Sequence, residues 1–176
     1  MINGRAEQLF HAIFNCEDGL VELRALPSKD RIFVPQGNIE AVNEFIKNHR
    51  QEDLYWGVAV RRDSTSGALK NCLHLTTLFV DLDFKAFPSA EAAREKLQQF
   101  PLQPSYIVNS GGGLHCYWLL TDPIDLQTRA ADAKDLLRRL ARAIGGDMDA
   151  AEPARVLRIP GTFNYKYNPP RLVTLE

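Results

Sequence analysis

Residues 105–118 read SYIVNSGGGLHCYW, an apolar run broken by a serine and three glycines and resumed at a histidine. The β-branched and aromatic residues on either side predict a hairpin of two strands, SYIVN and HCYWLL. Three consecutive glycines lose much conformational freedom on folding, so the turn needs a reason. A plain chain reversal is one. A backbone that must come close to a ligand is another: successive N–H groups there can cradle a phosphate, with the Ser110 hydroxyl and His115 at the rim.

The stretch TTLFVDLDF, residues 76–84, also reads as a strand. Leu78, Val80, Leu82 and Phe84 share one face, and Asp81 and Asp83 share the other, with Cα atoms roughly 7 Å apart. Two such carboxylates repel unless water solvates them or a cation sits between them. A polar outer face would carry the same pattern. Strand interiors are nevertheless depleted in Asp, and oxygen ligands favour Mg²⁺ or Mn²⁺ over zinc.

Farther on, GGDMDAAEPARVLRIPGTFNYK places three more acids, Asp147, Asp149 and Glu152, after a helix. Arg155, Arg158 and Lys166 follow, and no acid occurs between Pro153 and Leu175. The odd spacing of the two arginines puts them on opposite faces of an ideal strand, so a bend is needed to bring both to one ligand.

The remaining composition mainly excludes. A chain of 176 residues, 45% hydrophobic and with net charge −1, fits one domain with a sizeable core and has no global polyanion signature. No apolar run reaches membrane length and the N-terminus lacks signal-peptide regions, so a cytoplasmic protein without membrane contact is expected. Cys16, Cys72 and Cys116 are odd in number and fit a reducing compartment. Phosphate-loop, dinucleotide-loop and paired CxxC motifs are all missing, and the spacing of Cys72, His74, His115 and Cys116 suits no structural zinc site.

Periodicity predicts helices over residues 4–15, behind Asn38 as N-cap, from Pro88–Ser89 to Pro101, and from Ala130 to a stop at Gly145–Gly146. LVELRAL, RIFV, YWGVAV and the terminal RLVTLE read as strands, and RRDSTSGALKN, residues 61–71, as a polar loop. The class is α+β, with helices around a mainly antiparallel sheet. Ending on a strand, the chain reads as a fragment of a longer protein.

The order of these motifs resembles the archaeo-eukaryotic primase superfamily, in its primase-polymerase branch from plasmids, phages and CRISPR-associated proteins. The resemblance rests on DLD, SGGGLHCYW and a late acid before RVLRIPGTFNYK, and covers roughly residues 55–168. It implies an RRM-like catalytic module over residues 55–176 behind an N-terminal α/β module over residues 1–54. The implied activity is DNA-templated nucleotidyl transfer, either primer synthesis or primer extension, with two Mg²⁺ or Mn²⁺ ions. Asp81, Asp83 and Asp147 would hold the metals, Asp147 being chosen over Asp149 and Glu152 because it follows the Gly-Gly stop. Ser110, Gly112, Gly113 and His115 would hold nucleotide phosphates, and Arg155, Arg158 and Lys166 would add phosphate or template contacts. Arg61, Arg62 and Lys70 would help hold the initiating nucleotide. Implied partners are single-stranded DNA, NTPs or dNTPs, and a helicase or C-terminal domain beyond this chain. Unlike some relatives, this sequence has no zinc module. Two other readings remain at this stage. One is a metal-dependent nuclease or replication initiator, which needs a histidine pair and a nucleophilic tyrosine; the other is a non-catalytic RRM-like binding module.

Overall fold

Helix ends are set by the residues that predicted them. In the computed structural model, which describes residues 4–16 and 18–176, α1 spans Gly4–Ile13 and α2 spans Ile39–Asn48. The Asn38 side chain accepts from the Ala41 N–H, and α3 (Ala90–Gln98) is capped the same way by Ser89 on the Ala92 N–H. The last helix, α4 (Ala130–Ile144), stops at Gly145, whose φ of 79° is the left-handed value that favours glycine.

The strands are β1 (Leu20–Leu26), β2 (Arg31–Pro35), β3 (Asp53–Gly57), β4 (Val60–Arg61), β5 (Cys72–Asp83), β6 (Tyr106–Asn109), β7 (Gly113–Asp125), β8 (Val156–Arg158), β9 (Phe163–Asn164), β10 (Arg171–Leu172) and β11 (Thr174–Leu175). Nine of them form one antiparallel sheet in the order β11-β6-β7-β5-β4-β1-β3-β8, with β2 on β1, and β9 pairs with β10 as a separate ribbon. Strands from both sides of the expected boundary at residue 54 share this sheet, because β1 lies between β4 and β3. The expected strand YWGVAV is broken at Val58–Ala59, and RLVTLE divides at Val173 between two sheets.

Apolar faces close the core. Leu9, Phe10 and Ile13 of α1 are buried, and the Phe10 and Phe14 rings both lie 5.8 Å from that of Trp56 on β3. Leu137, Ala141 and Ile144 of α4 join the same core, and α4 packs along β5. Among the described residues no helix is long and apolar enough to cross a membrane.

The polar loop needs a correction at its first residue. Arg61 is fully buried, with Nε and Nη2 donating to Glu22 Oε2 at 3.0 and 2.7 Å. Two glycines leave room for the pair: a Cβ on Gly57 would lie 2.4 Å from Arg61 Nη2, and one on Gly67 would lie 2.5 Å from the Glu22 carboxylate. Arg62 reaches Gln127 instead, and Lys70 sits exposed on a short 3₁₀ turn. None of the three lines the cleft described next.

Candidate active site

The glycine hairpin joins β6 to β7, and β7 pairs with β5 so that Asp81 faces His115 and Asp83 faces Gly113. Alternation along β5 puts both aspartates on one face, as the sequence predicts, and both line a cleft of about 230 Å³. Asp147 lines it too. The short β4 pairs with only the first residues of β5, leaving the Asp81 carbonyl without a strand partner, and the Asp147 N–H bonds to it at 2.8 Å. Gly146 permits this approach, since a Cβ there would lie 2.2 Å from Val80 Cγ1. Asp149 and Glu152 do not line the cleft, and Glu152 pairs with Lys134 at 2.6 Å.

The rest of the cleft lining is largely basic and polar: Arg155, Arg158, Lys166 and Lys85, with Asn164, Tyr55 and Tyr167. The bend that the arginine spacing demands is present: β8 begins only at Val156, so Arg155 precedes the ideal strand and both arginines reach the cleft. Arg158 is fixed by Asp53 at 2.6 Å and lies over the Tyr55 ring at 4.9 Å.

Each glycine of the turn has its own reason. Gly111 has a φ of 85°. A Cβ on Gly112 would lie 2.2 Å from the Tyr167 hydroxyl, and one on Gly113 would lie 2.2 Å from the Leu82 carbonyl oxygen. The Ser110 hydroxyl is committed to the turn, donating to the Gly113 carbonyl at 3.1 Å. Asn164 braces the turn from β9 through its amide, 2.7 Å from the Ser110 carbonyl. These contacts give a prediction. Gly113→Ala meets a fixed backbone oxygen and is expected to lose about 1–3 kcal/mol in urea unfolding, whereas in Gly112→Ala the tyrosine can swing aside and less is lost. Equal losses would contradict this account of the turn.

Among the described residues, three of the cleft carry a buried polar atom without a hydrogen-bond partner: Arg155 at Nε, Arg158 at Nη2 and His115 at Nδ1. His115 is 4% exposed, and its Nε2 stands 3.9 Å from Asp81 Oδ1, beyond hydrogen-bond range. Burial pushes its pKa down, opposed by the Asp81 charge, so the ring is neutral near pH 7. An unpaired buried imidazole costs stability unless a ligand supplies its partner. The thiol beside it is inert, because burial raises the Cys116 pKa to about 12.

The donor set suits a hard divalent cation, being all carboxylate oxygen. Asp83 Oδ1 already accepts the Lys85 N–H at 2.9 Å, and Asp147 Oδ1 accepts the Asp149 N–H at 2.8 Å. Among the described residues no three His, Cys, Asp or Glu side chains are gathered tightly enough to enclose an ion. Holding one would take rotation of these carboxylates toward a common point.

Sequence reasoning missed Lys85, Tyr55 and Tyr167, and gave no role to Asn164 within RVLRIPGTFNYK. Lys85 was within reach, two residues beyond Asp83. The others depend on which loops fold over the sheet.

No family model matches the chain. A replication protein of Clostridium perfringens is 29% identical over 106 residues, covering 56% of this chain and 26% of that protein. An uncharacterized protein of Methanocaldococcus jannaschii is 29% identical over 138 residues, 71% of this chain and 10% of its own length. The chain therefore spans only a small part of either relative. Among solved structures, the AEP domain of the cyanophage S-2L primase-polymerase superposes with a TM-score of 0.69 at 16% identity, covering 99% of this chain and 89% of that one. The catalytic domain of primase RepB′ in complex with initiator DNA gives 0.61 at 16% identity, covering 98% and 82%. The fold is that of the primase-polymerase domains, in agreement with the archaeo-eukaryotic primase resemblance read from the motifs.

Proposed function

We propose that this chain is the nucleotidyltransferase domain of a replication enzyme of the archaeo-eukaryotic primase type, joining nucleotides on a single-stranded DNA template. The observation that carries this reading is the cleft itself. Asp81, Asp83 and Asp147 line it together with Arg155, Lys166 and Lys85, and His115 adds an Nδ1 without a hydrogen-bond partner. Carboxylates alone would repel a polyphosphate, and cations alone would not need three acids beside them.

Asp81, Asp83 and Asp147 would hold the divalent ions, Mg²⁺ or Mn²⁺, whose chemistry is to acidify the attacking hydroxyl and to offset charge on the leaving pyrophosphate. This chain's own residues bind and orient. Arg155, Lys166 and Lys85 would take the triphosphate, with the Gly112–Gly113 backbone close against it. His115 would donate an N–H to a phosphate oxygen, gaining the partner it lacks. Arg158, pinned by Asp53 and Tyr55, would offer a guanidinium of fixed direction. In the transfer, a 3′-oxygen forms a bond to the α-phosphorus, the bond from that phosphorus to the bridging oxygen breaks, pyrophosphate leaves, and the hydroxyl proton passes to water.

The initiator reading loses its histidine pair. His74 and His115 are cross-strand partners of Asp125 and Asp81, which places them roughly 23 Å apart along β5 at about 3.3 Å per residue.

Primer-free synthesis tests the proposal. Single-stranded DNA, Mn²⁺ or Mg²⁺, and labelled NTPs or dNTPs should yield metal-dependent dinucleotides and longer products; a primed template tests extension alone. Silence in both, with DNA still bound, would favour a non-catalytic module. Within the same reading, His115→Ala is expected to weaken nucleotide binding by roughly 10- to 100-fold in a direct titration. Unchanged affinity would remove His115 from the phosphates.

A further inference from the structure

The segment from Pro153 to Leu175 contains no acid, and its residues 163–172 carry the β9–β10 ribbon on the rim of the cleft. Asn164, Lys166 and Tyr167 line the cleft, whereas Phe163 and Tyr165 do not and present exposed rings instead. Their rings lie 6.3 Å apart and are 43% and 36% exposed, beside Leu172 at 49%. Tyr165 is held at both ends: its hydroxyl donates to the Arg50 carbonyl at 2.7 Å and its N–H donates to Asp53 at 2.8 Å. On the same ribbon the Arg171 guanidinium lies 3.7 Å over the Tyr167 ring and donates to the Gly111 carbonyl at 2.6 Å. No ion pair among the described residues involves Lys166 or Arg171, whereas Arg158 is held by Asp53.

We propose that this ribbon, residues 163–172, is the platform for the single-stranded DNA template, whose unpaired bases stack on Phe163 and Tyr165 while Arg171 holds an adjoining phosphate. Two exposed rings on an acid-free, cationic element match what single strands require: flat faces for bases and uncompensated charge for the backbone. A ring fixed at both ends loses little freedom when a base stacks on it. The charge favours a polyanion over a protein partner, for which apolar area alone would serve. Contact between the ribbon and the glycine turn, through Arg171 and Asn164, joins the platform to the nucleotide site. The inference rests on the polymerising reading of the cleft.

The test is fluorescence anisotropy of a labelled oligodeoxythymidylate at fixed salt, beside a separate titration with nucleotide. The double variant Phe163→Ala/Tyr165→Ala is expected to bind the oligonucleotide at least about tenfold more weakly, with nucleotide affinity unchanged. Phe163→Leu/Tyr165→Leu keeps apolar bulk without flat π faces and covers the case in which truncation disturbs the ribbon. It should weaken binding as well. Wild-type DNA affinity in the leucine pair would overturn the stacking platform while leaving the nucleotide site standing. An unaltered chain that binds nucleotide but no single strand would overturn the platform alone. One that binds neither would overturn the polymerising reading with it.

Discussion

Replacing Asp81 with asparagine is expected to lower nucleotide incorporation by about 10²- to 10³-fold or more, the loss seen when one preorganised electrostatic contact to a transition state is removed. The substitution is nearly isosteric and leaves the strand pairing with His115 untouched, so an intact fold with lost turnover is the anticipated pair of results. Asp83→Asn should also lose activity with the turn after β5 kept, because the amide oxygen can still accept the Lys85 N–H. Asp147→Asn tests the third position. Glu152→Gln serves as the contrast: Glu152 is paired with Lys134 and lies outside the cleft, so it should retain most of the rate. Initial rates of primer extension in Mn²⁺ read all four variants. Full activity in Asp81→Asn would remove this carboxylate from the chemistry, and Mn²⁺ titration of the same variant would show whether metal affinity fell with it.

What was legible in the sequence follows how locally each feature is determined. The two aspartates on one face of β5 follow from a period of two, and the stops at Asn38, Ser89 and Gly145 follow from caps a few residues long. The hairpin at Gly111–Gly113 is equally local. Asp147 was chosen among three acids from the local Gly-Gly stop, but the backbone bond to Asp81, 66 positions earlier, that sets it on the cleft left no trace in the sequence. Tyr55, Asn164 and Tyr167 enter the cleft through strand order and the β9–β10 ribbon, neither of which leaves a periodic trace. The arginine pair shows the limit from the other side. Spacing alone demands a bend, and the structure supplies it by starting β8 one residue after Arg155. Arg61 was misread for the same reason: its partner lies 39 residues away, and an arginine opening a serine-rich loop looks solvated.

That buried pair carries the second large effect. Glu22→Ala is expected to lower unfolding free energy by about 3–5 kcal/mol, because it strands the Arg61 charge in the core, and Arg61→Ala should cost less, because Arg24 remains paired with Glu22. Both side chains have 0% exposure, and the guanidinium also donates to the Ala59 carbonyl at 2.6 Å and the Ala154 carbonyl at 3.2 Å. Arg24, one-third exposed, donates to the other Glu22 oxygen but cannot take Arg61's place inside. Removing both charges at once, as Glu22→Met/Arg61→Met, should recover most of the loss, since apolar replacement of a whole buried pair is often neutral. The recovered protein should still be impaired. Ala154 immediately precedes Arg155, and Arg61 is the side chain that fixes the Ala154 carbonyl, so the double variant loses an anchor for a cleft cation while regaining stability. Urea unfolding gives the first quantity and nucleotide affinity the second. A double variant with wild-type affinity would mean that the pair serves stability alone; Glu22→Ala within about 1 kcal/mol of wild type would mean that water reaches the charge left behind.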